Sequence, residues 1–250
     1  MALIHSFETS GNFLFKYRGQ IPVFIFLIGL PFLYFANYDY FTENSWVEPV
    51  LAIIGICVSL TGIVIRSYTI GTTPKGTSGR NTQKQIAESL NIKGIYSIVR
   101  HPLYVGNYLM WAGLLIFAGN LTYFLVASLI YWLYYERIMY AEERFLEKQF
   151  GQTFIDWSMK VPAFIPAFSQ FEKGTMRFSF KAVLRREYSG FFAMALCFMV
   201  VDLLRYHVIH YEIDWMRISV FAAAFFLVVM LIFRTLKHHT QFLDDSLTRD

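Results

Sequence analysis

The chain has 250 residues, 56% of them hydrophobic and only 16% charged, whereas an ordinary soluble domain is about one quarter charged. With a formal net charge of +4 and a mean hydropathy of +0.42, it reads as an all-α integral membrane protein, which excludes a soluble globular domain. Cys57 and Cys197 both sit inside apolar runs, so neither a disulfide framework nor a zinc-ligand spacing is present, and no metal is expected.

Residues 1–20 are polar and aromatic and lack the apolar core and small-residue cleavage site of a signal peptide. The first apolar run is therefore read as an uncleaved anchor. Crossing the hydrocarbon layer takes ~20 apolar residues, somewhat fewer in thin or snorkelled cases. Six stretches meet that need: 20–38, 47–66, 103–119, 121–137, 188–205 and 215–234. Pro22 and Pro31 in the first are tolerated where neighbouring helices satisfy the freed carbonyls. Cytoplasmic loops collect Lys and Arg. With the N-terminus inside, every Lys and Arg except Arg205 and Arg217 falls on an inner segment. The outer loop at 39–48 carries Asp39, Glu43 and Glu48 and no base. Six spans with both termini cytoplasmic follow, and the net positive charge needs no nucleic-acid partner.

The inner loop from Gly71 to Thr82 is rich in hydroxyls, glycine and base. It lacks the spacing of a nucleotide P-loop. Its composition suits a plain turn, or an anionic lipid headgroup gripped by backbone N–H groups with Lys75, Arg80 and Lys84 as candidate substrate-binding residues.

The third and fourth spans are joined at Gly119-Asn120, which allows only a tight hairpin. Each covers ~25 Å at about 1.5 Å per residue. Arg100-His101-Pro102, just before the hairpin, and Glu142-Glu143, just after it, are thereby brought to one depth at the cytoplasmic interface. The fourth helix meets no breaker before Gly151, a suitable C-cap. A short amphipathic segment with Phe154, Ile155 and Trp157 follows, and Val161-Pro162 and Ile165-Pro166 end regular helix. That segment can fold back over the hairpin mouth. Together these groups suit a small zwitterionic cofactor beside an acceptor held in lipid. Carboxylates bind an ammonium, Arg forks a carboxylate or phosphate, and the Tyr104 ring can face a cation. Plainer roles exist for each part: a snorkelling Arg-His pair, a solvated Glu-Glu-Arg face, and Gly106 as a helix-packing contact. It is their coincidence at one depth that points to a site.

Arg100-His101-Pro102-Leu103-Tyr104-Val105-Gly106, followed by Glu142-Glu143-Arg144-Phe145-Leu146, resembles the motif pair of the isoprenylcysteine carboxyl methyltransferase and phospholipid methyltransferase superfamily. Gly94-Ile95-Tyr96, Phe150-Gly151 and Val161-Pro162-Ala163-Phe164-Ile165-Pro166 are similar to the family's lead-in and ending, and the likeness covers about residues 50–168. The resemblance implies S-adenosylmethionine as methyl donor. By it, His101, Tyr104 and Gly106 line the cofactor site, Glu142 and Glu143 hold the cofactor's polar end, and Arg100 sits near the reacting groups. Arg100 and Glu142 are the catalytic candidates; an anionic acceptor needs no base, whereas an amine must give up a proton, which an acid can take. The partner is a lipid or lipidated substrate. A lipid phosphate, as in lipid A 1-phosphate methyltransferases, is favoured by the basic loop, and a prenylcysteine carboxylate or a phospholipid amine is the other choice.

The chain divides into 1–46, the first span; 47–168, the methyltransferase core; and 169–250, an extension with two spans that serves as a lipid-entry wall or a dimer contact. The expected location is a bacterial inner membrane, or the endoplasmic reticulum. Two other classes compete. Membrane sterol-type reductases that bind NADPH share the His-Pro step, but usually show Asn-Tyr after the Arg-His pair and an acid after the glycine. Here those positions are Leu103-Tyr104 and Asn107. A lipid-binding or transport protein would place ionisable residues in mid-membrane; Asp202 and Arg205 come nearest, close to the outer end of their span and spaced as a structural salt bridge.

Overall fold

The computed structural model describes residues 2–74 and 87–244. Among them the secondary structure is helical, with a single isolated antiparallel bridge between Gly94 and Glu172. The helices are α1 (Leu3–Lys16), α2 (Ile21–Tyr34), α3 (Asp39–Glu43), α4 (Val47–Thr72), α5 (Pro102–Ala118), α6 (Leu121–Phe150), α7 (Gln152–Ser158), α8 (Phe180–His210) and α9 (Ile218–His239).

By length and composition α4, α8 and α9 can each cross a membrane, and the α1–α2 pair, bent by 83°, can make a fourth span. The chain is thus an integral membrane protein, though fewer helices pass that test than the six apolar stretches suggest. α5 is only 17 residues long. α6 is rich in tyrosine, with Tyr123, Tyr131, Tyr134 and Tyr135, and turns charged from Glu136 onward. α1 was hidden in the sequence because its apolar residues are spread among polar ones. It packs along the charged half of α6: Gly11 lies against the Arg137 carbonyl and the Ala141 side chain, Arg137 covers the Phe7 ring at 3.3 Å, and Lys148 pairs with Glu8 at 2.5 Å.

α4 and α5 run antiparallel in close backbone contact. Gly55 meets Gly113 and Gly62 meets Gly106, and any Cβ at these positions would strike a carbonyl of the other helix. Ser59 between them donates to the Met110 carbonyl at 2.7 Å. Small residues allow this approach, and van der Waals packing with inter-helix hydrogen bonds holds helices together where lipid offers no hydrophobic drive. Gly119 at φ 70 ends α5, and the Asn120 side chain caps α6 by accepting from the Tyr123 N–H at 2.8 Å.

At one end of the bundle, charges from α4, α8 and the start of α9 interlock. Arg205 is 2% exposed and reaches Glu48 at 3.0 Å, Asp202 at 3.5 Å and the Phe117 carbonyl at 2.6 Å, while Arg217 pairs with Asp202 at 2.8 Å and with Glu48 at 3.0 Å. These are the two bases that break the inside-positive pattern, and each is neutralised by an acid. Asp202 and Arg205 thus belong to one ion-pair network. The opposite end gathers the end of α4, the starts of α5 and α8 and the charged half of α6; there Ser179 donates its N–H to the Gly71 carbonyl at 3.0 Å.

Candidate functional site

His101 precedes Pro102 at the first position of α5, where a missing N–H costs nothing. Gly151, at φ 54, ends α6 and turns the chain into α7. Beyond α7 the chain runs back along the stretch that leads into α5. Arg100 and His101 donate their N–H groups to the Pro162 and Ala163 carbonyls at 2.9 and 3.2 Å, and Ala167 donates to Ile98 at 2.9 Å. The fold-back expected from the two Val-Pro and Ile-Pro steps is thus a strap bonded to the motif's own backbone.

The two motifs touch. His101 Nε2 lies 2.8 Å from Glu143 Oε1, its Nδ1 3.5 Å from Glu142 Oε2, and the Tyr104 hydroxyl donates to Glu142 Oε1 at 2.7 Å. The His101 and Tyr104 rings stack at 5.7 Å, and Tyr104 leans on Tyr135 at 4.7 Å. Arg100 donates from Nε to Glu143 at 2.9 Å and from Nη1 to the carbonyls of Val161 (2.8 Å) and Ser158. Its guanidinium therefore ties α6 to the strap. Trp157 donates from Nε1 to the Tyr96 carbonyl at 3.1 Å, closing the same corner.

Burial alone would favour a neutral His101, but hydrogen bonds and charge from Glu142 and Glu143 outweigh it and raise the imidazole pKa. Burial would likewise raise Glu143; His101 and Arg100 override it and hold that carboxylate below its usual range. The signs fix a pH window. The His101 contribution to stability is complete below the ordinary value of 6.5 and is lost as pH rises through the raised pKa. That of Glu143 is complete above 4.5 and is lost as pH falls through the lowered one. Thermal stability in detergent is expected to be highest between those limits, and His101→Asn to flatten the alkaline arm. An alkaline arm as steep in the variant as in the parent rules out His101 as its source.

These groups open on a cavity of about 610 Å3, lined by Arg100, His101, Tyr104, Glu142 and Glu143 at the end just described, a size within the usual range for small-molecule sites. Gly106 does not line it; it faces Arg66 and Gly62 at the α4–α5 crossing. Lys75, Arg80 and Lys84 lie outside the described residues. Several other walls come from residues that no motif marks. Arg18 and Pro22 come from the α1–α2 elbow, and Glu187, Met194 and Cys197 from α8. Arg66 forks Glu187 with Nε–Oε2 at 2.8 Å and Nη2–Oε1 at 2.7 Å, and its Nη1 donates to Asn107, whose Nδ2 donates to the Tyr135 hydroxyl at 2.9 Å. Arg66 inside an apolar helix was the available signal. Glu187, in a polar stretch, had none. α8 therefore forms one wall of the cavity.

Residues 50–153 match the family model described as phospholipid methyltransferase. Among similar proteins, a protein-S-isoprenylcysteine O-methyltransferase from Schizosaccharomyces pombe is 37% identical over 29% of this chain and 31% of its own length. The protein of that name from Tribolium castaneum is 31% identical over 46% of this chain and 42% of its own. Cobalt-zinc-cadmium resistance protein CzcN from Cupriavidus metallidurans is 29% identical over 63% and 68%. The chain thus spans less than half the length of these two methyltransferases. No solved structure matches it significantly.

Proposed function

We propose, from the match of residues 50–153 to the phospholipid methyltransferase family model and the similarity to isoprenylcysteine O-methyltransferases, that the chain is an S-adenosylmethionine-dependent methyltransferase acting on an acceptor held in the membrane. The observation that carries this reading is the closed set Tyr104–Glu142–His101–Glu143–Arg100 at the mouth of a cavity that continues between apolar helices.

The residues present fit the donor. Glu142 accepts from the Tyr104 hydroxyl, has His101 Nδ1 at 3.5 Å and is a quarter exposed at the cavity, and a carboxylate's roughly four acceptor sites leave room for an ammonium. Glu143 is engaged by both His101 and Arg100 and holds the imidazole and the strap in place. S-adenosylmethionine, when bound, supplies a methyl group on a sulfonium sulfur. What the chain's residues do is bind, orient and exclude water, since alignment of two reactants is most of what an in-line displacement needs. Glu142 anchors the donor, Tyr104 offers its ring and fixes Glu142, and Arg100 holds the strap closed while facing the cavity. An anionic acceptor needs no base here.

Four guanidiniums line the cavity, Arg18, Arg66, Arg100 and Arg186, against three carboxylates. That balance supports an anion as the acceptor, and within that class a lipid phosphate is our choice. α5 and α6 complete six crossings, with the site and both termini at the cytoplasmic face and the Glu48–Arg205 network outside. Titration calorimetry on the purified chain tests the donor: S-adenosylmethionine is expected to bind and NADPH not to. Binding of NADPH alone would turn the assignment to a reductase.

A further inference from the structure

Arg66 and Glu187 form an ion pair in the cavity wall, with side chains 18% and 7% exposed. Buried pairs of this kind add little to stability, because desolvating both ions offsets their attraction, and apolar replacements of similar volume are often tolerated. An ionisable residue within a membrane helix more often marks a functional site. Three observations give this pair a task. Both residues line the cavity. Arg66 spends three of its N–H groups on Glu187 and Asn107, and a guanidinium has five, so two remain for a ligand. The apolar part of the same cavity, with Met110, Trp111, Met194 and Cys197, lies along the apolar stretches of α5 and α8.

We propose that Arg66 is the cation that receives the acceptor's anionic headgroup, that Glu187 on α8 is a positioning residue holding the guanidinium in that pose, and that the acceptor's chain lies against Trp111 and Met194. This rests on the methyltransferase reading for its purpose, but its chemistry stands apart from the donor. Glu187 and Met194 lie outside the segment that matches the family, so the C-terminal extension selects the acceptor. Arg66 reaches the donor end through Asn107, Tyr135 and Tyr104, each in contact with the next, and an occupied headgroup site therefore adjoins the Glu142 corner.

The test uses the full chain in non-ionic detergent, with 12-bromododecyl phosphate and 12-bromododecyltrimethylammonium as probes. Bromine quenches nearby indole fluorescence, and Trp111→Phe identifies the part due to Trp111. Saturable quenching is expected with the phosphate, at least about tenfold tighter than with the ammonium, as for loss of one charge-assisted contact. The double variant Arg66→Met with Glu187→Met is expected to keep its thermal midpoint and its affinity for S-adenosylmethionine, and to lose that tenfold preference. Unchanged phosphate affinity in a folded double variant makes the pair purely structural and overturns the proposal. Equal affinity of the parent chain for both probes overturns it too, and needs no variant. Phosphate binding without S-adenosylmethionine binding sinks the methyltransferase reading and leaves the headgroup site standing.

Discussion

Glu142→Gln is expected to weaken S-adenosylmethionine binding by about 30- to 150-fold, the loss of about 2–3 kcal/mol that a hydrogen bond to a charged group supplies. The substitution is nearly isosteric, and the amide oxygen can still accept from the Tyr104 hydroxyl that now lies 2.7 Å from Glu142 Oε1. What disappears is the negative charge offered to an ammonium. The side chain is a quarter exposed at the cavity, so the fold should tolerate the change, with only a small fall in thermal midpoint from the charge lost beside His101 Nδ1. Tyr104→Phe makes a graded comparison. It removes one donor from the carboxylate and keeps the ring against His101 and Tyr135, at a cost of about 1 kcal/mol, or about fivefold. Calorimetry on the three proteins should rank them parent, Tyr104→Phe, Glu142→Gln. If Glu142→Gln binds as the parent does, Glu142 does not touch the donor, and the acid that does must be sought elsewhere in the cavity.

Why this corner was legible in the sequence, and the rest of the cavity was not, comes down to the range of the interactions. A hairpin of two helices joined at Gly119-Asn120 fixes the relative depth of its two ends by length alone. His101 and Glu143 therefore had to be neighbours, and they lie 2.8 Å apart. Gly151 and the two X-Pro steps are local signals, and each marks the turn that lays the strap over the motif. Arg66 and Glu187 are separated by 121 residues. No periodicity in either segment encodes that meeting, which depends on how α8 seats against α4. The bases Arg205 and Arg217 appeared as exceptions to a charge rule, and only the packed ends of α4, α5, α8 and α9 show them matched to Glu48 and Asp202. α1 escaped notice for another reason: an amphipathic helix bent 83° from the span it precedes has no long apolar run to reveal it. Gly106 had two readings, cofactor contact and helix packing, and it sits against Arg66 and Gly62. It thus shapes the cavity through the spacing of α4 and α5.

That spacing carries the largest expected effect on stability. Gly113→Val places a branched side chain where the Gly55 carbonyl and the Ser59 backbone and hydroxyl already lie. None of these is a flexible tip that can swing away, and the Ser59 hydroxyl is bonded to the Met110 carbonyl at 2.7 Å. Relief requires α4 and α5 to separate, at a cost at or above the usual about 1–3 kcal/mol for overpacking. For a chain of this size that lowers the thermal midpoint by roughly 2–12 °C or more. Gly19→Ala is the matching control, since a Cβ there meets nothing within 4 Å, and a change within about 0.5 kcal/mol is expected. The displacement should also be felt at the far end of α5. His101 and Tyr104 ride on that helix while Glu142 and Glu143 ride on α6, so tilting α5 pulls the two halves of the corner apart, and donor affinity should fall together with stability. If Gly113→Val melts and binds like the parent, the close approach of α4 and α5 is not what sets the geometry of the cavity, and the ion pair and strap must hold it without that help.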